Sequence, residues 1–186
     1  MPCVTTTPAT GGTVTVRATT SDPAGQILVN GRADSDGIAQ VTGLTGGDEI
    51  SVIIRDTAGT AVHSLVYLPA EFPTLEVVTK ETGITPGYVG LTLTGWGQKS
   101  TPAFEAAVDT NGVPVYVLST DSASMDLKRA ANGSFTVSRP ATNPGRTGHK
   151  VVELDARFRT VAEHETVGLQ DTAGHHSTLR PDGSRP

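Results

Sequence analysis

With 186 residues, 36% of them apolar and 18% charged, the chain can bury a real hydrophobic core as one large β domain or two small ones. Only 4% of residues are aromatic, while glycine (21) and proline (12) are abundant, which suits short strands joined by tight turns and argues against a helical bundle. A net charge of −5 without a basic stripe excludes a nucleic-acid partner, and the lone cysteine, Cys3, excludes an internal disulfide or a Cys-based zinc site.

Residues 1–11 form a Thr/Pro/Gly lead-in, expected to be loose. Thr13–Thr19 then alternates, with Val14, Val16 and Ala18 on one side and Thr13, Thr15, Arg17 and Thr19 on the other, the period of a half-buried strand. "QILVNG" is a second strand ending in Asn30-Gly31, a hairpin signal because both residues tolerate positive φ. "IAQVTGL", "EISVIIRD" (Ile50, Val52 and Ile54 on one face) and "AVHSLVYLP" continue the pattern between turns at "DSDG", "TGG" and "DTAG". Short strands at this density, without a helical window, predict a small β-sandwich over residues 12–70.

Two prolines in "PAEFPTLEVV" mark a boundary near residues 69–74, opening a linker and entry segment over 71–99. Three hairpins follow: "FEAAVDTNGVPVYVLS", "MDLKRAANGSFTVS" and "HKVVELDARFRTVAEHE", turning at Asn111-Gly112, at Asn132-Gly133 and around Asp155–Arg157. A fourth is begun by "HSTLRPDGSRP". Hairpins at this interval predict four-stranded blades, so residues 100–186 read as an incomplete β-propeller of about two blades. The expected fold class is all-β.

No window reaches the roughly 18 apolar residues of a membrane helix, so no membrane partner is expected. The first residues also lack the regions of a signal peptide, which as written predicts a cytoplasmic chain. "DSDG" would need Gly and Glu at the sixth and twelfth positions of a calcium loop, but Ala39 and Thr45 stand there, so Asp34 and Asp36 are turn formers. His63 lies in an alternating strand without an acidic neighbour. His149 follows "NPGRTG", where Arg146 and glycine-rich backbone could help bind an anion, but without a helix start a plain solvated loop is favoured. His164, His175 and His176 are the densest titratable cluster. Their spacing matches no standard zinc arrangement, so no metal and no cofactor are expected. If His175 and His176 lie on a strand they point to opposite faces and do not share a task.

In order, "AVDTNGVPVYVLS", "DLKRAANGSFTV", "KVVELDARFRTVAE" and "AGHHSTLRPDGS" resemble the bacterial arylsulfotransferases. That family runs a D-x-x-G-x-x-V hairpin, an NG turn, an [EV]-x-D strand, a double histidine and a PDG or PNG turn. "PTLEVVTKETGITPGYVGLT" is similar to the segment leading into its propeller, and residues 10–70 to the small cadherin-like sandwich that often precedes it. The resemblance covers most of the chain. It implies a periplasmic or secreted enzyme that moves a sulfuryl group from a phenolic sulfate ester to another phenol through a sulfohistidine, without a nucleotide donor. On this resemblance His176 takes the place of the first active-site histidine, with His175 second. Where the family continues with an aspartate this chain has Ser177, which lacks the carboxylate that would orient the imidazole. The family's remaining site residues fall in later blades, so the chain is expected to be an N-terminal portion, inactive alone unless a partner chain supplies the missing blades. Two further readings are a non-catalytic β-rich binding or surface module and a metal-dependent hydrolase fragment using the histidines.

Overall fold

The computed structural model describes residues 11–33, 36–94, 102–141, 148–166, 174–175 and 178. These residues form 13 strands in four antiparallel sheets and no helix. The chain divides into two compact units, Met1–Val78 with Gly112–Val117, and Thr79–Asn111 with Leu118–Pro186.

The first unit contains β1 (Val14–Arg17), β2 (Gln26–Val29), β3 (Arg32–Ala33), β4 (Ile38–Val41), β5 (Glu49–Asp56) and β6 (Gly59–Val66). β1 pairs with β4 alone, and the other four lie in the order β3-β2-β5-β6. Alternation does the sorting: Val16 of β1, Ile27 and Val29 of β2, and Ile50 and Val52 of β5 are buried in one core shared by both sheets. Ile54 packs against that core, so the apolar face expected for β5 is the face it buries. At the β2–β3 turn Asn30 and Gly31 take φ of 49° and 77°. Two consecutive positive angles match the twist of a tight hairpin. The side chain of Asp22 ties the β1–β2 connection to the β5–β6 turn. Its Oδ2 accepts from the Thr57 N–H at 3.0 Å and the Thr57 hydroxyl at 2.8 Å, and its Oδ1 accepts from the Ala24 N–H at 2.8 Å.

In the remainder, β7 (Tyr88–Leu93), β8 (Ala103–Asp109) and β9 (Pro114–Thr120) form a sheet in the order β7-β8-β9. β10 (Met125–Arg129), β11 (Phe135–Pro140), β12 (His149–Leu154) and β13 (Thr160–His164) form a meander in chain order. The three expected hairpins are β8–β9, β10–β11 and β12–β13. Most of the fourth, including His176, Ser177 and the Pro181-Asp182-Gly183 turn, lies outside the described residues. The central strands of the meander are buried on both faces: Val137, Val152 and Leu154 on one, Thr136, Ser138 and Val151 on the other.

The β12–β13 connection is longer than a two-residue hairpin. Asp155 closes it by accepting from the N–H groups of Arg157 and Arg159 and from the Arg159 guanidinium, at 2.6 to 3.0 Å. These bonds, the Arg159 side chain foremost, lower the Asp155 carboxyl to about 2. Phe158, at φ 58°, packs its ring 4.5 Å from that of Phe135.

Candidate functional site

One face of the β10–β13 sheet collects the titratable groups. Direct partners across antiparallel strands share a face. Pro140 faces His149, Ser138 faces Val151 and Thr136 faces Glu153, while on the other side of β12 Val151 faces His164 and Glu153 faces Ala162. His149, Glu153 and His164 therefore project together over the hydroxyls of Thr136 and Ser138.

His164 reaches this face because of a bulge. Leu154 pairs with Thr160, yet the next rung joins Glu153 to Ala162, so Val161 is skipped. Unbroken pairing from the Leu154–Thr160 rung would have set His164 opposite Lys150, on the other face. The extra residue shifts it by one and places its Nε2 3.5 Å from Glu153 Oε2. Val161, the skipped residue, is exposed.

Glu153 is held ionised by its neighbours. The Ser134 hydroxyl foremost, then the Asn132 amide (3.1 Å) and His164, keep its carboxyl below the usual glutamate range, against the opposing effect of burial. The Asn132-Gly133 turn of β10–β11 thus supplies a polar contact to this face as well as reversing the chain. A carboxylate beside an imidazole fixes the ring's orientation.

Beneath these groups the Thr136 Oγ1 and Ser138 Oγ are buried without a hydrogen-bond partner among the described residues. On the opposite face of β11, Arg139 makes a bidentate pair with Glu105 of β8, Nε to Oε1 and Nη2 to Oε2, both 2.7 Å. Glu105 is fully buried and also accepts from the buried Ser124 hydroxyl at 2.6 Å. This anchor was not anticipated. Its one local signal is a glutamate inside the otherwise small and apolar run "AFEAAV", where a charge requires a partner.

Of the histidines singled out in the sequence, His164 lies on this face. His175 is exposed and lies in a bend rather than a strand, and His176 is outside the described residues. The backbone just before His175 touches the face just built: a Cβ on Gly174 would sit 2.7 Å from the His149 ring and 2.8 Å from Met125 Cε. His149 begins β12 rather than ending a loop, while Cys3, Asp34 and Arg146 are outside the described residues. His63 stands on the core-facing side of β6, opposite Val52 in the first unit. Asp36 is exposed in the bend before β4. Among the described residues no cluster of three His, Cys, Asp or Glu side chains has the arrangement to hold a metal ion, and no helix is long and apolar enough to cross a membrane. A scan of protein-family models and searches of curated proteins and of solved structures found no match to this chain.

Proposed function

We propose that the chain is the N-terminal portion of an arylsulfotransferase. In this reading residues 12–70 are a small cadherin-like sandwich, 71–99 an entry segment and 100–186 about two blades of a β-propeller. Two features support it besides the order of the motifs. The strands β7–β9 and β10–β13 run as consecutive antiparallel meanders, the construction of propeller blades. The observation that carries the reading is the single face that His149, His164 and Glu153 share, with His164 beside Glu153 and the Gly174-His175 backbone against His149.

The chemistry asked of this wall is a double displacement. A neutral imidazole nitrogen attacks the sulfur of an aryl sulfate, the S–O(aryl) bond breaks, and a phenolate leaves. An acceptor phenol then gives up its proton to a base and takes the sulfuryl group from the imidazole. Cationic side chains and N–H groups stabilise charge on the sulfuryl oxygens in both steps. His176 is the candidate for the first active-site position and His175 for the second. Glu153 offers a carboxylate to an imidazole on this face, the role Ser177 cannot perform. Oxyanion stabilisation needs groups converging from several directions, so turnover requires further blades, on the same or another chain.

Binding separates this reading from a non-catalytic β-rich module. Titrating 4-nitrophenyl sulfate into the histidine-labelled chain is expected to give saturable imidazole shifts at His175 and His176, weakened in His176→Ala, without release of 4-nitrophenol. No shifts at millimolar ester would favour the binding module. Multiple turnovers by residues 1–186 alone would overturn the requirement for further blades.

A further inference from the structure

We propose that the free edge of β1 is a docking site for a single extended strand from a partner protein, with small apolar residues at alternate positions and a carboxylate opposite Arg17. The inference is independent of the histidine face and uses none of its residues.

The direction of the edge groups follows from two hydrogen bonds. The Ala18 N–H donates to the Gly37 carbonyl at 2.8 Å, and the Gly12 carbonyl accepts from the Leu44 N–H at 2.9 Å. Successive residues of a strand turn their N–H and C=O groups to opposite edges. The even-numbered residues therefore serve β4, and Thr13, Thr15 and Arg17 direct theirs the other way. Among the described residues no strand pairs with that edge.

A groove of about 370 Å³ runs beside it. One wall is the unbroken stretch from Val14 to Thr19, both parities included, so the groove follows the strand's edge rather than one of its faces. The other wall is Val52, Ile54, His63 and Leu65, all on the inner face of β5 and β6. No residue of β4 contributes, so the groove lies on the side of β1 away from β4. Two strands face four, and the inner-face residues His63 and Leu65 of β6 line the groove beside β1. A third strand added to β1 would lie over β6, cover His63 and Leu65, and satisfy the open edge.

Charge and shape select the occupant. Arg17 and His63 line the groove and no carboxylate does, which favours an acidic residue in the incoming strand. A second copy joining β1 to β1 would bring its own four-stranded sheet into the layer that β6 already fills. The chain's first ten residues contain no Asp or Glu and two prolines, which cannot donate to the edge. A lone strand from another protein meets each requirement, with main-chain bonds giving affinity and alternate side chains giving specificity.

The probe is the peptide Ac-TVEVTVT-NH2, titrated into the full-length ¹⁵N-labelled chain. Antiparallel pairing sets its glutamate opposite Arg17 and its valines opposite Val14, Val16 and Ala18. Saturable shifts and slowed amide exchange are expected at Thr13, Thr15 and Arg17, while the Val16 amide, already directed to β4, keeps its rate. Replacing the peptide's glutamate by lysine should weaken binding about two- to five-fold, the range of an exposed ion pair. The preference should reverse on the exposed variant Arg17→Glu. Absence of saturable shifts at millimolar peptide, or equal affinity for both peptides, would overturn the proposal. So would a Thr15 amide already protected before peptide is added, because the edge would then be filled by the chain itself or a second copy.

Discussion

Removing Arg139 should be among the most damaging single truncations in the second unit. Glu105 has no solvent exposure, and its two oxygens are held by the guanidinium at 2.7 Å and by Ser124 at 2.6 Å. Arg139→Ala leaves that carboxylate buried with one hydroxyl donor. Stranding a buried charge in this way costs about 3–5 kcal/mol. Glu105→Gln is gentler: the Arg139 side chain keeps 22% of its surface in water and can carry its charge there, and an amide still fills the space. About 1.5–3 kcal/mol is expected, the value of a hydrogen bond to a charged group. The order of the two variants therefore follows from the unequal exposure of the partners. Urea denaturation, followed by circular dichroism and by hydrogen exchange of β11 peptides, measures both. The double variant should lose much less than the sum of the singles, because the second substitution removes the charge that the first one strands. A loss below about 1 kcal/mol for Arg139→Ala, or one no greater than that of Glu105→Gln, would refute this reasoning.

Two further outcomes are expected of the same sheet. Asp155 is depressed to about 2 against an ordinary 3.8, so its contribution is fully present above about pH 4 and is lost as pH falls through 2; in Asp155→Asn the fall of the urea midpoint between pH 4 and 2 should be shallower than in the parent chain. Thr136→Val removes a buried hydroxyl that has no partner among the described residues and suits a strand, so a gain of about 1 kcal/mol is expected; a loss of that size in the same denaturation experiment would mean that the hydroxyl is satisfied in solution.

Much of the strand pattern was legible because it is local. The alternation of Thr13–Thr19 buries Val16, and that of "EISVIIRD" buries Ile50 and Val52. At Asn30-Gly31 both angles are positive as the dipeptide suggested. The same dipeptide means something else at Asn111-Gly112, where only the glycine has positive φ and the Asn111 N–H donates to Asp109 Oδ1 at 2.8 Å. There the aspartate two residues earlier shapes the turn, a contribution that the Asn-Gly signal does not contain. Long-range pairing was not legible. Glu105 and Arg139 are 34 residues apart, and nothing in either local pattern names the other. The described face was legible only in part for a related reason. The sequence marks His164, His175 and His176 as the densest titratable cluster, whereas the residues that share the described face are His149, Glu153 and His164, aligned by register.

That register rests on one residue. Counting by twos along "LDARFRTVAEH" from the Leu154–Thr160 rung assigns His164 to the face opposite Glu153, and only the bulge at Val161 reverses the assignment. An inserted residue in an edge strand costs a rung of the ladder, and its exposed valine buries little in return. What it brings is an imidazole beside a carboxylate that three neighbours keep ionised. On the same account β11 has different tasks on its two faces. Arg139 fastens it to β8 through Glu105, while Thr136 and Ser138 form the floor under the titratable groups. The carboxylate and imidazole 3.5 Å apart depend on the register of β12 with β13, and the buried ion pair on the far face holds the neighbouring β11 against β8. The histidine wall and the Glu105–Arg139 anchor thus lie on opposite faces of one sheet, and β11, paired with β12 and fastened to β8, is the strand that joins them.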